Sequence, residues 1–253
     1  MQEVALPAGA ALRPGDLRDR VVLVTGASGG LGRAAALVLG GAGATVVLLG
    51  RRVPKLERVY DELVAAGAPT PAIYPLDLEG ASPADYEQAL ETIGRECGRL
   101  DGLLHAAAHF GGLVPFAQVE PLEWVRGLHV NLGAAALLTQ AALPLLQAAP
   151  DAAVVFVLDP VARPARAYWG PYAAAKRGLE ALAETLAEEF ESGPLRIHAI
   201  APGPMRTPLR ARAWFAEDPA TQASPEAAAA PCAWLFTPAA SMLRNRTLAL
   251  AGA

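Results

Sequence analysis

Val21-Val22-Leu23-Val24-Thr25-Gly26-Ala27-Ser28-Gly29-Gly30-Leu31-Gly32 is an apolar, β-branched run that passes straight into a glycine-rich turn, and a helical pattern follows it. The run lacks the alternation of a half-exposed strand, so it predicts a strand buried on both faces. Glycines let the backbone turn tightly and come close to a ligand. The helix start behind them offers free N–H groups and a partial positive charge. A glycine motif that follows the first strand and opens the first helix points to a cradle for a dinucleotide pyrophosphate. Thr25, Gly26, Ser28, Gly30, Leu31 and Gly32 are its candidate residues.

Similar apolar runs recur at 45–49, 72–76, 103–106, 153–158, 197–200 and 247–250. Helical patterns lie between them, near 31–42, 54–66, 83–97, 120–147, 170–191 and 224–235. Alternation of this kind predicts an α/β fold: a doubly wound parallel sheet with helices on both faces. No linker, repeat or low-complexity boundary interrupts it, so residues 1–253 read as one domain. The longest irregular stretch, 202–223, is rich in Pro and Arg and reads as a lid that brings Trp214 to the substrate.

Composition narrows the function. Of 253 residues 53% are hydrophobic and 18% charged, with a net charge of −4. Such a surface gives no electrostatic reason to bind nucleic acid or an anionic membrane. Cys97 and Cys232 lie far apart without metal-ligand spacing, which reads as free thiols in a reducing compartment and no metal site. Residues 1–20 carry scattered charges and no apolar signal core. The uncharged run 34–50 contains Gly40, Gly41 and Gly43, and fits a helix, a turn and a strand better than a membrane span. The expectation is a soluble, cytoplasmic protein acting on a small molecule.

The second strand ends at Gly50-Arg51-Arg52. A carboxylate there would accept from adenosine ribose hydroxyls and favour NAD. Two guanidinium groups instead favour a phosphate, which arginine binds in a bidentate fork. The cofactor expectation is therefore NADP(H), with Arg51 as the main 2′-phosphate contact and Ser28 or Arg52 assisting.

Thr25-Gly-x-x-x-Gly30-x-Gly32, Asn131, Tyr172-x-x-x-Lys176 and Pro202-Gly203 occur in this order and spacing. In this the whole chain resembles the short-chain dehydrogenases/reductases. The resemblance implies a Rossmann-type seven-stranded sheet, a nicotinamide cofactor, and a homodimer or homotetramer. It gives Tyr172 the acid/base role. Lys176, four residues on and so on the same helical face, would lower the tyrosine pKa and bind the nicotinamide ribose. Asn131, within the long helix, would hold a water that relays protons from Lys176. Asp77 would contact the adenine. Pro202, Gly203 and Thr207 would line the cofactor, with Thr207 at the nicotinamide carboxamide or the phosphates.

Two departures qualify the resemblance. The family's Asn-Asn-Ala-Gly after the fourth strand is His105-Ala106-Ala107-Ala108 here, and His105 reads as a packed strand residue. The family's serine, thirteen residues before the tyrosine, is Asp159. Serine and tyrosine would stabilise the oxyanion that forms as hydride reaches a carbonyl. An ionised carboxylate about 4 Å away, at an effective dielectric near 20, would instead repel it by roughly 4 kcal/mol. That is about a thousandfold in rate. For a protonated C=N substrate the sign reverses. Pteridine and dihydropterin reductases within the family resemble this chain at Asp159, and also at Phe110, which would stack on a flat heterocycle. The reading is an NADPH-dependent oxidoreductase acting on a small carbonyl or C=N substrate. The alternatives are a dihydropterin reductase and a catalytically weak NADP-binding protein.

Overall fold

The structure is a computed structural model that describes residues 1–159 and 166–250. Eight parallel strands form one sheet: β1 (Glu3–Val4), β2 (Val21–Thr25), β3 (Thr45–Gly50), β4 (Ala72–Pro75), β5 (Gly102–His105), β6 (Ala152–Val157), β7 (Leu195–Ala201) and β8 (Thr247–Ala249). Their spatial order is β1-β8-β7-β6-β5-β2-β3-β4. The expected count of seven is corrected by β1, a two-residue edge strand beside β8. At two residues it is too short to leave a strand pattern in the sequence.

The helices are α1 (Gly30–Gly41), α2 (Val53–Ala65), α3 (Pro83–Cys97), α4 (Pro121–Leu128), α5 (Ala134–Ala148), α6 (Gly170–Glu189), α7 (Pro208–Ala213) and α8 (Pro225–Trp234). One apolar layer packs α3, α5 and α6 on the sheet through Leu90, Leu138 and Leu179. The other packs α1, α2 and α8 through Leu39, Leu56 and Ala233. Strands β2, β3, β5 and β6 are covered on both faces, which is why their sequences are continuous apolar runs. From β2 the chain winds outward to β3 and β4, then crosses to β5 on the other flank of β2. The strand order reverses there, and a crevice opens at the carboxyl ends of β2 and β5.

Two elements differ from expectation. The single helix expected over 120–147 is α4 and α5 joined by a π-helical turn, His129–Gly133. The stretch 202–223 is not irregular: it contains α7 and a 3₁₀ turn at Pro219–Thr221. Its base is pinched by a bridge between Met205 and Ala223, with Arg206 N donating to Ala223 O at 2.8 Å.

Candidate active site

A cleft of about 700 Å³ runs across the carboxyl ends of the strands. The glycine turn forms one wall. Gly26 (φ +66°) and Gly30 (φ +52°) occupy the left-handed region, where glycine alone is unstrained. A Cβ at Gly26 would lie 2.8 Å from the Ala107 Cα, and one at Gly32 would lie 2.4 Å from the Gly26 carbonyl oxygen. Gly29 faces open space. The first turn of α1 has no acidic side chain, so its positive end is left for an anion. This cradle fits a pyrophosphate.

Gly26, Ser28, Gly30 and Leu31 line the cleft, whereas Thr25 and Gly32 do not. Buried Thr25 instead donates to Leu104 O at 3.2 Å and accepts from the N–H groups of Ala106 and Ala107, both at 3.1 Å. The motif's threonine therefore fixes the turn after β5, and Gly32 allows α1 to approach Gly26. Pro202, Gly203 and Thr207 also line the cleft, and a Cβ at Gly30 would lie 3.7 Å from Thr207 Cγ2. Thr207 caps α7 by accepting from Arg210 N at 3.2 Å.

Arg51, Arg52 and Asp77 line the far end together with Lys55 and Glu79. Arg51 Nη1 lies 3.7 Å from Glu79 Oε2 and 4.0 Å from Asp77 Oδ2. Lys55, in the first turn of α2, was not among the expected contacts. Its signal was spacing: it stands one helical turn past the arginine pair.

At the other end, α6 presents Tyr172 and Lys176 on one face. Tyr172 Oη donates to Asp159 Oδ2 at 2.7 Å, and Lys176 Nζ donates to Val157 O at 2.9 Å. Burial, and then the neighbouring Asp159, push the Tyr172 pKa well above its ordinary value. This corrects the expectation that Lys176 would lower it. Nζ is 5.9 Å from the phenol ring centroid and bonded to a carbonyl, while the carboxylate holds the hydroxyl directly. Burial also pulls Lys176 down to about 8, partly offset by Asp159.

Asn131 sits in the π-helical turn. Its Nδ2 donates to Gly127 O and His109 O, both at 2.8 Å, and its Oδ1 accepts from His109 N at 2.9 Å. Three of the four hydrogen-bonding positions of its amide are thus spent on backbone, leaving one lone pair for the expected water. Asn131 clasps the loop after β5.

Phe110 is buried and does not line the cleft, so the expected stacking platform is absent. It packs edge-on behind Tyr172, centroids 5.3 Å apart, and tilted against Trp169 at 5.2 Å. Trp214 does reach the cleft. Its ring lies 5.1 Å from Trp169 and beneath the Arg210 guanidinium at 3.5 Å. Arg210 in turn pairs with Glu217 through bonds of 2.7 and 2.8 Å. His105 is packed: it stacks on Phe156, bonds Thr139 Oγ1 at 2.8 Å, and burial lowers its pKa to about 3. His109 and Arg210 line the cleft, although neither was an expected site residue. Their partners Glu123 and Glu217 lie on other segments, and nothing in the local sequence announced either pairing.

A family model for short chain dehydrogenase matches residues 20–218. The uncharacterized oxidoreductase YciK of Escherichia coli (strain K12) is 40% identical over 203 residues, covering 80% of each chain. A short chain dehydrogenase from Pseudomonas syringae is similar in structure, with a TM-score of 0.92 at 38% identity over 97% of this chain and 99% of that one. Another, from Escherichia coli CFT073 and complexed with NADPH, has a TM-score of 0.89 at 37% identity over 94% and 98%. With the glycine cradle and the Tyr172–Lys176 pair around one cleft, Asn131 clasping the loop at its wall, and relatives matched over most of its length, the chain belongs to the short chain dehydrogenase family of oxidoreductases.

Proposed function

We propose that the chain is an NADPH-dependent reductase that delivers hydride to a carbonyl or C=N carbon, with Tyr172 as proton donor and Asp159 selecting the substrate. Three cations, Arg51, Arg52 and Lys55, at one end of the cleft support NADP(H) as the cofactor. The NADPH complex of the Escherichia coli CFT073 relative supports the same choice. When bound, the nicotinamide supplies the hydride.

The observation that carries the reading is the 2.7 Å hydrogen bond from Tyr172 to Asp159. A phenol with a raised pKa keeps its proton at neutral pH. That is the form a reduction needs, since the proton is there to be given to a substrate heteroatom, whereas oxidation of an alcohol would need the phenolate, which burial and Asp159 disfavour. Lys176, four residues on along α6, would return a proton to Tyr172 once the phenol has given its own to the substrate. Trp214, tilted on Trp169 and covered by the Arg210 guanidinium, lines the same cleft as Tyr172 and offers an apolar face to a substrate.

Asp159 also favours a second reading, a C=N substrate such as a dihydropterin. A carboxylate at hydrogen-bond distance from the proton donor attracts a protonated imine or a heterocyclic N–H. It repels a ketone oxyanion about 4 Å away by roughly 4 kcal/mol. The test is NADPH oxidation with a β-keto ester, an aryl ketone and a quinonoid dihydropterin, by wild type and Asp159→Ser. Dihydropterin turnover that collapses in the variant supports the C=N substrate. Ketone turnover that appears only in the variant rejects it. Tight NADPH binding with no turnover of any compound would leave a nicotinamide-binding protein with little catalysis.

A further inference from the structure

We propose that Glu123 is a positioning residue of the active site, acting through His109 on Asn131 and on the cleft wall formed by the loop after β5. Glu123 Oε1 lies 2.6 Å from His109 Nε2. An ionised carboxylate only accepts, so the imidazole N–H is the donor whichever charge the ring carries. The pair is largely shielded, the two side chains being 20% and 24% exposed. Arg126, three residues along α4, faces the second carboxylate oxygen at 3.4 Å and is itself held by Glu79 at 2.7 Å. The loop curls around this carboxylate: a Cβ at Gly111 would lie 2.1 Å from Glu123 Oε1.

The loop needs such an anchor. Thr25 holds its start, but the side chains of Ala106, Ala107 and Ala108 can form no hydrogen bond. The next side chain able to do so is His109, whose backbone N–H and carbonyl are both clasped by Asn131. Glu123 and Gly127 stand four residues apart on α4, on one face. Asn131 Nδ2 donates to Gly127 O, so α4 grips the loop twice, once through each residue. Gly127 also abuts the start of α6, where a Cβ would lie 2.8 Å from Pro171 Cβ, next to Tyr172. Loss of the Glu123–His109 bond therefore removes the anchor of the His109 side chain and leaves the middle of the loop held by Asn131 on the His109 backbone and by Arg212 on Gly111 O.

The test compares Glu123→Ala, Glu123→Gln, His109→Ala and the double alanine variant, each as the full chain. The kinetic arm rests on the reductase reading and uses whichever compound of the panel above turns over best. Glu123→Ala is expected to lower kcat about tenfold, as a small misplacement of reacting groups does. The Kd for NADPH, from fluorescence titration, should stay within about twofold because the pyrophosphate cradle is untouched. His109→Ala should match it, and the double variant should be no worse than either single one, because both act through one bond. Glu123→Gln, whose amide oxygen still accepts from His109, should recover most of the rate. The second arm is amide hydrogen exchange of residues 106–114 in NADPH-free protein, which should quicken in Glu123→Ala but not in Glu123→Gln. Unchanged kcat and exchange in Glu123→Ala, additive losses in the double variant, or equal damage in the glutamine variant would overturn the proposal. If wild type turns over no compound, the reductase reading fails while hydrogen exchange still decides the positioning role.

Discussion

Tyr172 is bound by a carboxylate where the family's pattern supplies a serine hydroxyl, and this one exchange reshapes the acid–base chemistry of the cleft. The phenol is held protonated, and burial brings Lys176 down to about 8. Its folded value is depressed, so the ammonium persists below pH 8 and is lost above it. If that ammonium resupplies Tyr172, the reductive kcat falls by roughly tenfold per unit above about pH 8, as for loss of one essential proton. A pH–rate profile of NADPH oxidation checks this, and a plateau through pH 9.5 would count against it. At the other end, Arg51 is shared between Glu79 and Asp77 and would exchange them for a phosphate. Arg51→Ala should raise the Kd for NADPH by about ten- to a hundredfold, in line with roughly 1.5–3 kcal/mol for hydrogen bonds to charged groups. Fluorescence titration should show the Kd for NADH almost unchanged, and equal losses for both cofactors would reject the phosphate role.

Among the elements, the turn from β2 into α1 is the most constrained. Gly32 does not touch the cleft, yet any side chain there would collide with the Gly26 backbone, which cannot give way as a flexible side chain could. Gly32→Ala should cost roughly 1–3 kcal/mol, as overpacking does, and weaken NADPH binding as the cradle opens. A lower urea midpoint with an unchanged slope would report it. The junction of α4 and α5 works differently. A π-helical turn leaves a carbonyl without its usual partner, and the Asn131 side chain takes the Gly127 carbonyl while clasping His109. Local distortion of a helix thus fixes the loop at the cleft. The segment 202–223 is braced internally by Arg210 with Glu217 and tied to the loop after β5 by Arg212 Nη2 with Gly111 O at 3.0 Å.

Across the whole molecule, the end of the sheet opposite the cleft is tied by a buried charge cluster. Asp151, just before β6, accepts from Arg20 at 2.6 Å and from Arg196 of β7 at 2.9 and 3.2 Å. Arg196 is 1% exposed and also donates to Leu235 O at 3.1 Å, joining α8 to the strands. Burial alone would raise the Asp151 pKa, but Arg196 and Arg20 together hold it below the ordinary carboxylate value. A depressed carboxylate stabilises the fold above its unfolded pKa, and that contribution is lost as pH falls through the folded value. Asp151→Asn should therefore destabilise by roughly 3 kcal/mol, leaving Arg196 buried without a counter-ion. Urea unfolding at pH 7 and at pH 3 measures this, and the gap between variant and wild type should shrink at the lower pH.

The sheet and its winding were legible because buried parallel strands must be apolar throughout, and the runs at 21–24, 45–49 and 153–158 leave no other reading. The glycine turn, the Arg51–Arg52 pair and the Tyr172–Lys176 spacing were legible for the same kind of reason: each is local, set by the φ of a residue or by one helical turn. The edge strand β1, the break at Asn131 and the order within 202–223 were not, since backbone pairing and long-range side-chain bonds make them. Nor could sequence decide that Phe110 backs Tyr172 rather than facing the cleft, or that Tyr172 donates to Asp159. Those outcomes depend on which groups share a buried volume and on what burial does to their charge, and only the packed chain sets both.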